Sequence, residues 1–157
     1  MNRLFISHRG NLRGAIPHLE NTPAYIQAAI DLGYMCEVDM WHENGNFYLG
    51  HDEGTTRFDM QWLESQRQSI IIHCKNMAAL MELSKTQLHY FWHGDDDCTI
   101  TSKCWTWCYP GTTIDKAVDV RSPTTVCVLP ERHDQDTTNF SGICSDLIEK
   151  YDKASSL

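Results

Sequence analysis

Apolar strands alternate with helical segments along the first half of this chain, and this alternation restricts the fold more than any other feature of the sequence. Residues 3–9, 34–41 and 69–75 are apolar runs typical of strands, and helical patterns cover 23–32 and 77–86. Such alternation is typical of a parallel sheet, because each helix carries the chain back to the start of the next strand. We therefore expect an α/β protein.

Local signals define the ends of these elements. Thr22 is predicted to cap a helix that begins at Pro23, and Gly33 is predicted to end it. The Asn44-Gly45 pair predicts a tight hairpin after the second strand. We expect the helix at 77–86 to bury Met77, Leu80, Met81 and Leu83 on one side.

The regular alternation ends near His89. A strand is predicted at 89–94, a hairpin or two short strands at 95–111, and closing strands at 124–129 and 142–145. Only the last residues, from Leu147 on, have a further helical pattern. The second half is therefore expected to consist mainly of strands and loops.

Length and charge narrow the class of protein. A chain of 157 residues is expected to form a single domain over 1–157. The net charge of −8 argues against a nucleic-acid partner, because no basic stripe offsets the acidic residues. No apolar run approaches the roughly 18 residues of a membrane span, so we expect no stable membrane insertion.

The cysteine pattern predicts a reduced compartment. The seven cysteines are odd in number, and Cys104 and Cys108 do not form a CxxC pair. Because the chain enters a predicted strand almost at once, we expect no signal peptide. We therefore expect a cytoplasmic protein whose cysteines serve mostly as small core residues.

Two acidic residues on the second strand indicate a cation site. Glu37 and Asp39 are two positions apart, so their carboxylates are expected on one face of the strand. Like charges this close repel each other unless a positive charge lies between them. A divalent cation, which prefers oxygen ligands, is the usual solution.

Histidines and an arginine flank this acidic pair. His8 ends the first strand and His51 follows the hairpin, each next to a charged residue. Two imidazoles beside a metal-binding pair suit proton transfer, with one as the base and the other as the acid. Arg9 offers a fixed fork of donors to an anion, above all a phosphate.

The ordered motifs HRG, ENT, ExD and HD in residues 8–52 resemble those of the glycerophosphodiester phosphodiesterase family. Weaker similarity returns at HCKN, around Lys75, and at SGICSD near the end. The family belongs to the phosphatidylinositol-phospholipase-C-like phosphodiesterases, which are TIM barrels. The resemblance implies a shortened TIM-barrel-like (β/α)8 fold, with several outer helices of the second half reduced to loops or hairpins.

The resemblance also implies roles for individual residues. His8 and His51 match the acid–base pair of the family, Glu37 and Asp39 match two metal ligands, and Arg9 matches the arginine that contacts phosphate. Two further positions come from the third strand, where the family usually has Glu-x-Lys. Lys75 matches the phosphate-binding lysine, and His73 replaces the glutamate ligand.

The His73 replacement bears on the identity of the metal. Imidazole suits Zn, Mn or Fe better than Mg or Ca, so one divalent ion is implied without fixing whether it is Mg, Ca, Mn or Zn. Glu20 and Asn21 match family positions that precede the first helix. They are expected either to contact the substrate or to fix the loop.

The implied activity is metal-dependent hydrolysis of glycerophosphodiesters to glycerol 3-phosphate and an alcohol. The nucleophile is either water or a neighbouring hydroxyl of the substrate, and the second choice would make the protein a lyase that releases a cyclic phosphate. A catalytically weak phosphodiester-binding module is a third interpretation. A homodimer is also expected, because strands without outer helices leave apolar surface uncovered.

Other residues remain secondary candidates. His93 is expected at the core or rim of the site, and Trp105 and Trp107 are expected to share one face, where they either pack or floor a pocket. Asp146 is expected to hold the barrel closed or to orient Arg9. Four histidines are predicted to lie on the surface: His18, His42, His89 and His133.

Overall fold

A computed structural model of the chain describes residues 3–112 and 124–155. The strands are β1 (Leu4–His8), β2 (Met35–Glu43), β3 (Asn46–Leu49), β4 (Thr56–Arg57), β5 (Ile70–Cys74), β6 (Tyr90–Phe91), β7 (Cys98–Ile100), β8 (Thr106–Cys108), β9 (Thr125–Val128) and β10 (Gly142–Ser145). The helices over these residues are α1 (Pro23–Asp31), α2 (Met60–Ser65), α3 (Met77–Leu83) and α4 (Ile148–Ser155). None of these described helices is long and apolar enough to cross a membrane.

The strands form one mixed, curled sheet. Its parallel part has the order β6-β5-β2-β1-β10-β9-β8. The second half of β2 pairs antiparallel with β3, and β7 pairs antiparallel with β8. Because neighbouring parallel strands end at the same edge, residues at the carboxyl ends of β1, β2, β5 and β10 come together there.

Apolar side chains pack on both faces of the sheet. On the outer face, Ile72 and Val38 pack under the helices, against Ile26 of α1, Leu63 of α2 and Leu83 of α3. A second buried cluster occupies the concave face and contains no helix residue: Ile6, Ile71, Phe91, Trp107, Val126, Val128, Leu129 and Cys144. The concave face is therefore apolar at its base, and polar residues can lie above it at the ends of the strands.

The predicted TIM-barrel-like (β/α)8 fold is wrong. The sheet is a curled half-barrel. Among the described residues strands outnumber helices, and only four short helices are present. Between β6 and β8 the chain forms the antiparallel strand β7, and between β9 and β10 it forms a 3-10 turn over Pro130–Arg132. The outer cluster beside β8 and β9 is small, with Cys108 and Cys127 against Phe140. Among the described residues no helix packs against this cluster, because it offers little apolar surface to bury.

The local signals were largely confirmed. Thr22 occupies the N-cap position of α1, although its hydroxyl donates to Leu19 O at 2.7 Å and makes no capping hydrogen bond to the helix. Pro23 begins the helix, and Gly33 follows it with a φ of 94°. Asn44 and Gly45 have φ values of 49° and 77°, the left-handed pair that a tight hairpin requires.

Two predictions about burial were wrong. In α3 the buried side chains are Ala79 and Leu83, whereas Met77 and Met81 are exposed. His89 is buried rather than on the surface, and its Nε2 lies 2.7 Å from Thr101 Oγ1. Burial, with Lys103 nearby, lowers the pKa of His89 to about 4, so it serves as a neutral core residue.

Candidate functional site

The candidate site lies at the carboxyl edge of the parallel strands. Alternation along β1 places His8 on the same concave face as buried Ile6. Glu37 and Asp39 of β2 and His73 of β5 reach the same face, and the register pairs Asp39 directly with His73. Residues from separate parts of the chain thus meet because their strands are neighbours in the sheet.

Two carboxylates and an imidazole form the centre of the site. Glu37 and Asp39 are buried, and one ligand atom from each of Glu37, Asp39 and His73 lies within 4.8 Å of the others. His73 Nδ1 is 3.1 Å from Asp39 Oδ1 and 3.8 Å from Glu37 Oε1. Glu37 Oε2 is buried and accepts no hydrogen bond from any described residue. Asp39 Oδ1 is buried as well, and Lys75 Nζ lies 3.6 Å from it in addition to His73 Nδ1. These two oxygens have lone pairs available for a ligand.

The electrostatics of the two carboxylates differ. Burial and the neighbouring Asp39 raise the pKa of Glu37 to about 7. Burial also acts to raise the pKa of Asp39, but His73 beside it and the charges of Arg9 and Lys75 lower it below its usual range. Burial, with the charges of Lys75 and Arg9, lowers the pKa of His73 despite the opposing effect of Asp39, which favours the neutral imidazole that a metal requires.

Asp39 is held in place by groups from three directions. Arg9 Nε lies 2.8 Å and Lys75 Nζ lies 3.6 Å from its carboxylate oxygens. Asn21 donates from Nδ2 to Asp39 Oδ2 at 3.0 Å and accepts from the Asp39 backbone N–H at 2.9 Å. Asn21 adopts a left-handed conformation with a φ of 56°, which asparagine tolerates better than most residues. Asn21 therefore orients a carboxylate of the central group.

Glu20 connects the first loop to the site. Its Oε2 lies 3.3 Å from Arg9 Nη1, and its Oε1 accepts a hydrogen bond of 2.8 Å from Asn11 Nδ2. Glu20 and Asn21 were expected either to contact the substrate or to fix the loop. Both line the larger of two cavities described below, and their hydrogen bonds already fix the loop.

His8 is oriented by Asp146. His8 Nδ1 donates to Asp146 Oδ1 at 2.6 Å, and His8 Nε2 lies 3.8 Å from Glu37 Oε2. Asp146 also accepts a hydrogen bond of 2.8 Å from Asn11, so it orients His8 rather than Arg9. Burial lowers the pKa of His8, but Asp146 and Glu37 raise it by more, so the net pKa lies above its ordinary value. The pair fixes which ring nitrogen faces the site.

His51 approaches the site from the loop after β3. Its side chain is 47% exposed, and its Nδ1 lies 2.7 Å from Asp52 Oδ1. His51 lines the same two cavities as His8 and Arg9. The structure therefore brings together the two histidines that the sequence predicts as a pair, one buried and the other accessible to solvent.

Two adjoining cavities open above the strand ends. The inner cavity has a volume of about 210 Å³ and is lined by Glu37, His73 and Lys75, among others. The outer cavity, of about 460 Å³, is lined by Glu20, Asn21, Asp52 and Asp146, among others. Four residues line both: His8, Arg9, His51 and Arg132. A ligand with two parts could occupy both spaces with its junction beside the histidines.

Several residues of the inner cavity had no clear signal in the sequence. Tyr109 follows β8, and Arg132 ends the 3-10 turn after β9; no motif marks either residue. His93 stacks on His73 with ring centroids 4.4 Å apart, and burial with His73 nearby lowers its pKa to about 3. Trp107 lines the cavity and also packs against Phe91, so both uses considered for it occur together.

Comparison of the chain with protein-family models, with curated proteins and with solved structures finds no match. The chemistry of the site therefore has to be inferred from its geometry. The arrangement offers an oxygen-rich cation site, two histidines for proton transfer, and several cationic side chains beside one cavity.

Proposed function

We propose that the protein is a metal-dependent phosphodiesterase that hydrolyses glycerophosphodiesters to glycerol 3-phosphate and an alcohol. The observation that carries the proposal is the cluster of Glu37, Asp39 and His73 within 4.8 Å, in the same cavity as His8 and Lys75. The resemblance of the HRG, ExD and HD motifs to the glycerophosphodiester phosphodiesterase family supports the same activity.

The residues of the central group fit a divalent cation. Glu37 Oε2 is a buried oxygen that accepts no hydrogen bond from any described residue, and Asp39 Oδ1 is a second buried oxygen beside it. Burial and the neighbouring Asp39 raise the pKa of Glu37, and a cation between the two carboxylates would offset both effects. Glu37, Asp39 and His73 would hold the ion, which we take to be Mg, Ca, Mn or Zn. When bound, the cation withdraws charge from a phosphodiester oxygen.

The remaining chemistry belongs to the side chains of the chain. One histidine of the pair His8 and His51 removes a proton from the nucleophile, and the other donates a proton to the leaving alcohol. Asp146 keeps the imidazole of His8 in a fixed orientation for this transfer. Lys75 and Arg9 place positive charge beside the phosphate, where negative charge develops.

The test is a hydrolysis assay of the metal-free protein with added Mg²⁺, Ca²⁺, Mn²⁺ or Zn²⁺. Glycerophosphocholine, glycerophosphoethanolamine and bis(p-nitrophenyl) phosphate are the substrates, and phosphorus NMR identifies the products. We expect glycerol 3-phosphate, and Glu37→Gln should abolish its formation. A cyclic phosphate would identify a lyase instead.

Failure to cleave any of these diesters with any of the four metals would contradict the proposed activity. Binding of the diesters without cleavage would instead identify a binding module. Glu64→Gln, on α2 and outside both cavities, is the matched control for Glu37→Gln and should retain full activity.

We further propose a cytoplasmic location. The support is the cysteine pattern: Cys36, Cys74, Cys108, Cys127 and Cys144 are buried free thiols, and burial raises the pKa of each. Such thiols serve as small apolar residues. Fractionation of native cells with an antibody to the protein would test this location, and recovery outside the cytoplasmic fraction would contradict it.

A further inference from the structure

The side of the inner cavity formed by β8 and β9 contains a hydroxyl group without a partner. Tyr109 Oη is buried and makes no hydrogen bond to any described residue. A buried hydroxyl left in this state costs about 1–3 kcal/mol relative to one that is satisfied. Tyr109 lines the inner cavity together with Lys75 and His73, so a ligand in that cavity could satisfy the hydroxyl.

The position of Tyr109 is well defined. Its ring lies against His93 with centroids 4.0 Å apart, and its backbone N–H donates to Asp97 O at 2.9 Å. The Thr112 backbone N–H donates in turn to Tyr109 O at 3.0 Å, which closes the turn after β8. These contacts fix the ring and the backbone of Tyr109, and with them the position of its hydroxyl group.

Arg132 brings a positive charge to the same cavity. It lines both cavities, and over residues 3–112 and 124–155 it forms no ion pair. The preceding Glu131 anchors the turn, because its carboxylate accepts hydrogen bonds from Ser145 Oγ at 2.9 Å and from the Asp146 backbone N–H at 3.0 Å. The same turn thus places Arg132 at the cavity and supports the partner of His8.

The residue that precedes the turn of Arg132 has a strained backbone conformation. Leu129 has a φ of 48° and a ψ of 50°, a left-handed conformation that costs roughly 1–2 kcal/mol for a residue with a Cβ atom. It is kept there by burial and by the hydrogen bond from its N–H to Cys144 O at 2.7 Å. Strain of this kind persists where the surrounding structure requires it, and it is common at binding sites.

One side chain joins the two loops. Gln135 Oε1 accepts from the Gly111 backbone N–H at 3.1 Å, and Gln135 Nε2 donates to Thr112 O at 2.5 Å. Tyr109 and Arg132 therefore belong to loops that are bonded to each other. Tyr109 and Arg132 thus form one side of the inner cavity, here called the phosphate wall, with Tyr109 as a neutral donor and Arg132 as a cation.

We propose that Tyr109 and Arg132 are phosphate-binding residues, which with Lys75 hold the non-bridging oxygens of the substrate phosphoryl group in the inner cavity. The ligand class rests on the proposed function, because it takes a phosphate ester as the substrate. A hydroxyl donor and two cations suit an anion with several acceptor oxygens better than they suit a neutral ligand.

The test is binding of inorganic phosphate to the metal-free protein, followed by ¹H–¹⁵N NMR. Tyr109→Phe and Arg132→Gln should each weaken phosphate binding by about tenfold, the usual effect of removing one hydrogen bond to a charged group. The matched controls Tyr48→Phe and Arg67→Gln, which lie outside both cavities, should bind phosphate as wild type does. The same titration with glycerol 3-phosphate compares a phosphate ester with free phosphate, and tighter binding of the ester supports the proposal.

A stability measurement separates ligand binding from a structural role. Because the Tyr109 hydroxyl has no partner in the described structure, Tyr109→Phe should unfold at the same urea concentration as wild type or at a higher one. A lower midpoint would show that the hydroxyl is already satisfied within the protein, which overturns the proposal for Tyr109. Arg132→Gln tests the other residue independently.

The outcomes also separate this proposal from the proposed activity. Weaker phosphate binding in both variants supports the phosphate wall even if wild type hydrolyses no diester. Phosphate binding equal to wild type in both variants overturns the wall even if wild type is an active phosphodiesterase. A wild-type spectrum that does not respond to phosphate or to glycerol 3-phosphate overturns it as well.

Discussion

The two sides of the candidate site are built in different ways. On the side of β2 and β5, three helices cover the outer face of the sheet, and the functional side chains belong to the strands or follow them directly. On the side of β8 and β9, the outer cluster among the described residues consists of Cys108, Cys127 and Phe140, and the polar cavity residues Tyr109 and Arg132 belong to the loops after the strands.

The sizes of the two outer clusters match the charges that the two sides of the site bury. Glu37 and Asp39 are buried like charges, and holding them together costs free energy that a large apolar core can offset. Tyr109 and Arg132 are a neutral donor and an exposed cation, which a loop can present without such support. A parallel strand edge can therefore form a site even where no described helix packs on the outer face.

The largest expected effect is on the stability of the helix-covered side. Ile72→Ala removes a fully buried side chain between β5 and the helices, and it should lower the free energy of unfolding by about 3 kcal/mol. Cys127→Ala, in the small outer cluster, should cost only about 1 kcal/mol. Urea denaturation measures both, and equal losses would contradict the difference between the two sides.

The next effect concerns the paired histidines. His8→Ala and His51→Ala should each lower turnover by at least about 100-fold, the usual contribution of a general acid or base, while the fold remains intact. His42→Ala, outside both cavities, is the control and should remain active. Circular dichroism checks the fold, and near-normal turnover in either site variant would end the acid–base assignment.

A smaller effect is expected on metal preference. His73 replaces a carboxylate, so the site has one negative charge fewer than a site with three acidic ligands. Hard cations lose most from this change, so Mn²⁺ or Zn²⁺ should activate better than Mg²⁺. His73→Glu should shift the preference back toward Mg²⁺ or Ca²⁺ by about tenfold, a difference of 1.4 kcal/mol.

Initial rates after removal of bound metal measure this preference, and the thermal shift on adding each ion gives a readout that does not depend on turnover. If wild type already prefers Mg²⁺ and His73→Ala keeps that preference, His73 is not a ligand.

The smallest effect concerns assembly. β7 is the last strand in the order of the described sheet, and Ile100 on it is exposed, as is Trp92 nearby. We expect a homodimer that forms through this edge, because an edge strand with exposed apolar residues favours pairing with a second copy. Light scattering should show a dimer for wild type and a monomer for Ile100→Lys.

Met81→Lys, at an exposed position of α3, serves as the control for assembly and should remain dimeric. A monomeric wild type at micromolar concentration would contradict the prediction, and a dimer lost only in Met81→Lys would place the interface on the helix-covered side.

Predictions from the sequence succeeded where the information was local. The helix start after Thr22, the hairpin at Asn44-Gly45 and the shared face of Glu37 and Asp39 each depend on a few neighbouring residues. The fold class failed because the presence of an outer helix depends on how much apolar surface a strand presents after assembly. Burial on α3 failed for the same reason, since four apolar positions compete for a contact face that admits Ala79 and Leu83.

The sequence by itself determined that Glu37 and Asp39 share one face of β2, because side chains two positions apart on a strand point the same way. The order of β1, β2 and β5, which brings His8, Asp39 and His73 to one edge, belongs to the tertiary structure. Only the tertiary structure decided that Asp146 orients His8 and that Tyr109 and Arg132 face the same cavity. The physical reason is distance along the chain. Asp146 lies 138 residues after His8, and no local pattern records a contact that forms only when the sheet curls.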